Sequence, residues 1–199
     1  MKLLVATNNQ HKVEELRPVF KGWELRTPSE EGIRDFDPHE SGASFFENAL
    51  IKAQALWERC RMPVLADDSG LCVEALDGRP GIHSARYGAL HGGLLSASEK
   101  NQLLLEELRG VENRRCTFVC CLVVMTGKDR FVAVQETLEG EIGLAPVGEQ
   151  GFGYDPIVYL PEQGKTVAQL SQEEKNRISH RGKAAWKMAR ILAALDLGV

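Results

Sequence analysis

The chain is predicted to be a mixed α/β protein, and three observations carry the prediction. The apolar run Leu3 to Ala6 passes through a polar loop directly into an amphipathic stretch, the strand-loop-helix order of a crossover unit. Two long apolar segments, Cys116 to Thr126 and Arg130 to Leu138, flank Gly127-Lys128-Asp129, a hairpin signal. Helical periodicity recurs at 44–59, 98–108 and 179–195. Crossover units and a hairpin in one chain imply a mixed sheet.

With 199 residues the chain is long enough for a substantial core, and a single compact domain spanning 1–199, if need be as two packed lobes, is expected. The net charge of −4, with basic residues spread along the chain, argues against a broad nucleic-acid-binding surface. The five cysteines are odd in number, lack zinc-ribbon spacing and lie mostly in apolar runs, which fits reduced thiols in a cytoplasmic protein. No segment approaches the roughly 18 apolar residues of a membrane span, and the apolar run at the N-terminus is too short for a signal peptide. A soluble, intracellular protein with no membrane partner is expected.

Taken in order, Leu3 to Ala6 form a buried strand and Thr7-Asn8-Asn9-Gln10-His11 a loop, and Lys12 to Phe20 form a helix with Val13, Leu16 and Phe20 on one face. A polar loop between strand and helix is placed to receive phosphate, with Asn9 and Lys12 in the role that glycines and a lysine play in a P-loop. An Asn-rich loop with a solvated lysine accounts for the same residues. Residues 24–40 read as irregular and acidic, mostly surface charge. Ser44 and Glu47 look like a capping box opening a helix to about Arg59, with Asn48 and Lys52 four apart on one side.

The most informative stretch is Pro63-Val64-Leu65-Ala66-Asp67-Asp68-Ser69-Gly70. An apolar strand that ends in two carboxylates needs something to neutralise them, because a buried unpaired charge costs several kcal/mol. A metal ion, a lysine such as Lys52, or both should lie close by. Since strand side chains alternate, Asp67 and Asp68 should point to opposite faces. A turn is expected at Gly70 and a second strand over Leu71 to Leu76, closed at Asp77-Gly78-Arg79-Pro80-Gly81. An ordinary Asp-Ser-Gly turn is the simpler alternative.

Further on, 98–108 is a core helix stopped by Gly110. The glycines around Phe152 in Gly151-Phe152-Gly153-Tyr154-Asp155-Pro156 free the backbone for close approach, so Phe152 and Tyr154 either meet a planar ligand or tuck into the core. A strand follows at Ile157 to Leu160. Ser171 and Glu174 form a capping box on a short helix carrying Lys175. Ser179-His180-Arg181-Gly182-Lys183 then opens the last helix, whose core stripe is Ala184, Ala185, Met188, Ile191, Leu192 and Leu195. Cations at a helix N-terminus oppose its dipole, so a bound anion or a set of acceptors is expected near Lys175, His180 and Arg181.

Together, Thr7-x-Asn9-x-x-Lys12, Phe45-x-Glu47-Asn48-Ala49-x-x-Lys52-Ala53, Ala66-Asp67-Asp68-Ser69-Gly70-Leu71, Pro80-Gly81-x-x-Ser84-Ala85-Arg86-Tyr87, Gly151 to Pro156 and Ser179 to Ala184 closely resemble the non-canonical purine nucleoside triphosphate pyrophosphatases, the inosine/xanthosine triphosphatase family. The likeness runs in order over nearly the whole chain. One departure is Gly148-Glu149-Gln150-Gly151, where relatives usually have Gly-Thr-Gly-Gly.

The resemblance implies an elongated mixed sheet with two lobes and flanking helices, as in Maf-like proteins, an active site in the cleft between the lobes, and a homodimer. It implies Mg²⁺-dependent hydrolysis of dITP, ITP and XTP to the monophosphate and pyrophosphate, a nucleotide-pool cleansing role. On this reading Asp68 is the general base, with Lys52 and Asp67 setting its charge and position, and Asp68 and Glu40 hold Mg²⁺; Glu47 is the alternative second ligand. Substrate binding falls to Thr7, Asn8, Asn9, Gln10, His11, Lys12, Ser69, Phe152, Gly153, Tyr154, Asp155, Lys175, His180 and Arg181. Lys175, His180 and Arg181 would donate to the 6-oxo group that adenine lacks. A Maf-like pyrimidine triphosphate hydrolase and a non-catalytic nucleotide-binding module are the competing expectations.

Overall fold

The structure, a computed structural model, describes residues 1–89 and 93–195. Its seven strands form one mixed sheet in the order β2-β1-β3-β4-β5-β6-β7. In chain order these are β1 Lys2–Val5, β2 Glu24–Arg26, β3 Val64–Val73, β4 Arg115–Gly127, β5 Arg130–Ile142, β6 Val158–Leu160 and β7 Lys165–Thr166. The helices are α1 Gln10–Leu16, α2 Phe45–Cys60, α3 Ala97–Glu107, α4 Gln172–Ile178 and α5 His180–Ala194. Strand β1 runs parallel to β2 and β3, whereas β6 runs antiparallel to β5 and β7, so the mixed sheet expected from crossovers plus a hairpin is present.

The chain divides into two compact units, and β3, β4 and β5 contribute residues to each. The first comprises Met1–Asp68, Cys120–Glu136 and His180–Val199. One face of its strands buries Leu3, Val5, Leu65, Cys120, Leu122 and Val124 against Val13 and Leu16 of α1 and Ala184, Ala185, Met188 and Leu192 of α5. The opposite face buries Leu4, Ala6, Val64, Ala66, Cys121, Val123 and Met125 against Ala49, Ala53 and Leu56 of α2. The period-two alternation therefore sends Leu65 and Asp67 toward α1 and α5, and Ala66 and Asp68 toward α2. The second unit, Ser69–Val119 and Thr137–Ser179, is built around Leu71, Val73, Leu104, Leu108, Phe118, Ile142, Ile157 and Leu170.

Local chemistry explains the helix ends. Asn9 caps α1 by accepting from the Lys12 amide, and Pro18, which has no N–H to continue the ladder, follows its last turn. The helix accordingly stops short of the expected Phe20, and it begins two residues before the expected Lys12, so that Gln10 and His11 are helical rather than loop. Ser44 caps α2 through the Glu47 amide at 3.2 Å, and Glu47 reaches back to the Ala43 amide at 2.6 Å. Both Ser96/Glu99 at α3 and Ser171/Glu174 at α4 are full capping boxes.

Several sequence expectations are corrected. The expected turn at Gly70 does not form, and β3 runs unbroken through Asp67-Asp68-Ser69-Gly70 to Val73. Each carboxylate finds cations on its own face, so neither has to leave the sheet for water. The stretch 24–40, read as irregular, contributes the edge strand β2, whose pattern is too short to carry a periodicity. Strand β5 extends to Ile142. Ile191 on α5 and Leu195 just beyond its end are 36% and 41% exposed and lie outside the core stripe. All five cysteines are unbridged, as expected.

Candidate active site

In the first unit the two adjacent acids anchor separate networks. Asp67 is fully enclosed on the α1/α5 face. Its Oδ1 accepts from Lys12 Nζ at 2.6 Å and its Oδ2 from Arg181 Nε at 2.7 Å, while Arg181 Nη1 donates to Glu15 Oε2 at 2.6 Å. The thiol of Cys120 lies at 3.4 Å from the same Oδ2. Burial alone would raise the Asp67 carboxyl, but Arg181 and Lys12 outweigh it and hold the group well below the usual carboxylate range. Burial pushes the Cys120 thiol well up, and nearby Asp67 adds to this, so it is a neutral donor. Asp67 is thus a permanent anion that fixes Lys12 and Arg181 in place.

On the other face, Asp68 Oδ1 accepts from Lys52 Nζ at 2.6 Å, and the same ammonium donates to Glu40 Oε1 at 2.9 Å. The Asp68 carboxyl is raised because burial outweighs the lowering by Lys52, and Glu40 adds to the rise. Lys52 would be lowered by its burial, yet Asp68 and Glu40 hold it above its ordinary value and charged. The two directions are compatible: one ammonium is shared by two carboxylates that repel each other. Asp68 Oδ2 is buried with no hydrogen-bond partner among the described residues. A buried carboxylate oxygen left bare in this way is a place for a cation or a reacting water.

No group of three or more His, Cys, Asp or Glu gathers as a metal cage among the described residues. Asp68 and Glu40, linked through Lys52, form a two-carboxylate set whose bare oxygen fits a hard cation that takes its remaining ligands from phosphate and water. Glu47, the alternative ligand, is instead committed to the Ala43 amide at the start of α2. Asn48, one turn before Lys52, accepts from the Gly42 amide at 2.9 Å and so secures the segment that follows Glu40.

The loop after β1 and the first turn of α1 are exposed at Asn8, Asn9, Gln10 and His11 and half-buried at Thr7 and Lys12. Asn8 donates to the Phe36 carbonyl at 2.8 Å, the Asn9 amide donates to Thr7 Oγ1 at 3.1 Å, and Asn9 Oδ1 caps α1. Asn9 therefore spends its oxygen on the helix, and Lys12, bound to Asp67, is not the solvated lysine of the Asn-rich-loop alternative. His180, the first residue of α5, is buried.

In the second unit, Asp155 Oδ2 accepts from the Phe152 amide at 2.7 Å and from Lys175 Nζ at 2.5 Å, and the ammonium lies 4.8 Å from the centre of the half-buried Phe152 ring. A side chain at Gly151, where φ is +74°, would put its Cβ 2.1 Å from that same Oδ2, so only glycine admits the contact. Of the two aromatics, Tyr154 takes the core alternative: its ring is buried, and its hydroxyl donates to the Ser84 carbonyl at 2.9 Å. A buried phenol needs an acceptor for its O–H, and the Ser84 carbonyl supplies it. Gly153 occupies a left-handed turn with φ +63°, and Ser69 is half-buried on β3 beside Asp68.

The acceptors expected for the C-terminal cations are thus supplied by the chain itself, Asp67 and Glu15 for Arg181 and Asp155 for Lys175. Sequence reasoning missed Glu15 and Asn101, neither of which carried a signal, and it gave Ser84, though quoted in the Pro80 to Tyr87 motif, no role.

Adjacent strand carboxylates, each paired with lysine or arginine on its own face, bring together cations and a bare carboxylate oxygen, the kinds of group that phosphoryl transfer uses. The chain belongs to the Ham1 family, whose profile matches residues 3–191. A dITP/XTP pyrophosphatase of Treponema denticola is 49% identical over 192 residues, covering 96% of this chain and 98% of that protein. Another dITP/XTP pyrophosphatase, of Geobacillus kaustophilus, is 45% identical over 94% of this chain and 92% of its own. Among solved structures, the Staphylococcus aureus Ham1 protein superposes with a TM-score of 0.87 at 40% identity, covering 98% of this chain and 99% of its own. A Ham1 protein from Coxiella burnetii also has a TM-score of 0.87, at 34% identity, over 98% of this chain and 100% of its own.

Proposed function

We propose that this chain hydrolyses non-canonical purine nucleoside triphosphates, dITP, ITP and XTP, to the monophosphate and pyrophosphate, and so clears them from the nucleotide pool. The observation that carries the reading is Asp68: a buried carboxylate of raised pKa with one oxygen on Lys52 and the other bare. A general base needs a carboxylate more basic than usual with an oxygen left to meet a water, and burial and the bare Oδ2 of Asp68 supply both. The pyrophosphatase names of relatives at 45–49% identity support the same reaction.

In this mechanism Lys12, fixed by Asp67, faces the charged phosphate chain, and Thr7, Asn8, Asn9, Gln10, His11 and Ser69 contribute dipoles around it. Asp68 orients the attacking water and takes its proton at Oδ2, while Lys52 keeps Oδ1 engaged and Asp68 pointed. Mg²⁺ fits Asp68 and Glu40, and when bound it supplies charge neutralisation on the phosphate oxygens. Phe152 stacks on the base, with Asp155 and Lys175 fixing its loop. Lys175, His180 and Arg181 are the donors assigned to a 6-oxo group, beside the bonds that tie Lys175 to Asp155 and Arg181 to Asp67 and Glu15, and adenine, with a donor at that position, cannot accept from them. The active species is a homodimer acting in the cytoplasm. No helix among the described residues is long and apolar enough to cross a membrane.

A panel of dITP, ITP, XTP, dGTP, dATP and dUTP, with and without Mg²⁺ and with product analysis, tests the assignment. Metal-dependent pyrophosphate release confined largely to the 6-oxopurines lacking a 2-amino group is expected. Release of inorganic phosphate alone, or preference for dUTP, overturns it. Size-exclusion chromatography with light scattering checks the dimer.

A further inference from the structure

We infer that Asn101 is a positioning residue for base recognition: it holds the Phe152-Gly153-Tyr154 loop by its backbone, and so governs how tightly the base is taken rather than how fast the anhydride is cut. The inference rests on the role of Phe152 proposed above.

Asn101 lies on α3, a helix whose other buried residue, Leu104, is ordinary core. Its side chain is 4% exposed, and Nδ2 donates to the Gly153 carbonyl at 3.0 Å, across 52 residues of sequence. A carbonyl can only accept, so this bond fixes which end of the amide faces the loop. The other end, Oδ1, is buried with no hydrogen-bond partner among the described residues. A buried acceptor without a donor works against folding, so an apolar side chain here would serve stability better than the amide does. What the amide offers in return is its single bond to Gly153.

That bond completes a set. Phe152 is held by its N–H on Asp155, Gly153 by its carbonyl on Asn101, and Tyr154 by its hydroxyl on the Ser84 carbonyl. Three consecutive residues are each held by a group from a separate segment, and Phe152 and Tyr154 are held again through their carbonyls, which accept from the Asp155 and Ile157 amides. Gly153 is the link with no side chain of its own and a left-handed φ of +63°, hence the one whose backbone is freest to drift. Releasing its carbonyl lets the Phe152 ring tilt, while the Lys12, Lys52, Asp67 and Asp68 networks of the first unit keep every bond named for them.

The test compares the wild-type protein with Asn101→Leu, which removes both the bond and the unpaired oxygen, and Asn101→Asp, which sets a carboxylate against the Gly153 carbonyl. Steady-state hydrolysis of dITP is measured with thermal midpoints and with competitive inhibition by inorganic tripolyphosphate, which has no base. Losing one buried hydrogen bond should raise KM for dITP by up to about tenfold, with kcat changed by less than about twofold. Asn101→Leu should melt no lower than wild type, and tripolyphosphate should inhibit both variants as it does wild type. Unchanged KM in both variants overturns the inference, as does a fall in kcat at constant KM or an equal weakening of tripolyphosphate. Failure of the wild-type protein to release pyrophosphate from dITP would refute the proposed reaction instead; equilibrium binding of dITP to the three proteins then still decides whether Asn101 positions the base.

Discussion

Replacing Asp67 by asparagine probes the most heavily charged part of the interior. The carboxylate is 1% exposed, 2.6 Å from Lys12 Nζ and 2.7 Å from Arg181 Nε, and Arg181 also meets Glu15 at 2.6 Å. Two cations and two carboxylates cancel in this network, and Asp67→Asn leaves an uncompensated positive charge in it. Breaking a buried ion pair from one side costs about 3–5 kcal/mol. For a chain of this size each kcal/mol moves the midpoint by roughly 2–4 °C, so Tm should fall by about 6–20 °C at neutral pH. The effect has a sign in pH. Burial would raise the carboxyl, but Arg181 and Lys12 hold it well below its unfolded value of about 3.9. Its contribution is therefore fully present above about pH 4 and is lost as pH falls from there toward the folded pKa. Denaturant midpoints of wild type and variant, followed from neutral pH to about pH 3, should converge on the acid side. A deficit that stays constant over that range, or a variant that unfolds with wild type at neutral pH, would refute the idea that charge pairing at Asp67 holds this region.

Other substitutions address the remaining contacts. Lys52→Met should lower kcat by about 10²–10⁴-fold and move the acid limb of the pH–rate profile upward, since burial already raises Asp68 and its opposing cation is gone. A limb that stays put would separate Lys52 from Asp68. Glu40→Gln should raise the Mg²⁺ concentration needed for half-maximal activity and abolish any Mg²⁺-induced thermal stabilisation, whereas Glu47→Gln should only weaken the start of α2, by about 0.5–2 kcal/mol; the reverse pattern would make Glu47 the ligand. Gly151→Ala forces a Cβ to within 2.1 Å of Asp155 Oδ2 at φ +74°, and should cost about 1–3 kcal/mol and raise KM for dITP. Lys175→Met strands the buried Asp155 and should destabilise by about 3–5 kcal/mol in calorimetry, an effect that a solvated lysine would not have.

What could be read from the chain alone was whatever repeats or stands next to itself. Amphipathic periodicity located α2, α3 and α5, turn chemistry located the β4–β5 hairpin, and the capping residues marked where α2 and α4 begin. The paired acids demanded cations, and alternation along a strand said that they would face opposite ways. Both held in the structure: Lys52 meets Asp68, and Lys12 and Arg181 meet Asp67. The strand's passage through Gly70 was not legible, because whether carboxylates leave a sheet depends on partners that lie 16 and 114 residues away. Nor was the short edge strand β2, whose three residues owe their conformation to pairing with β1.

Residue identity and spacing determined that this chain carries a polar loop running into a lysine-bearing helix, a carboxylate pair and an aromatic loop, since each is a local pattern with its own chemistry. Only tertiary structure decided how those groups are used. Arg181 is spent on Asp67 and Glu15, Asp155 on Lys175 and the Phe152 amide, Tyr154 on the Ser84 carbonyl, and Asn101 on Gly153. The reason is physical: a buried polar group takes the nearest partner that three-dimensional packing offers, and spacing along the chain records the candidates without ranking them.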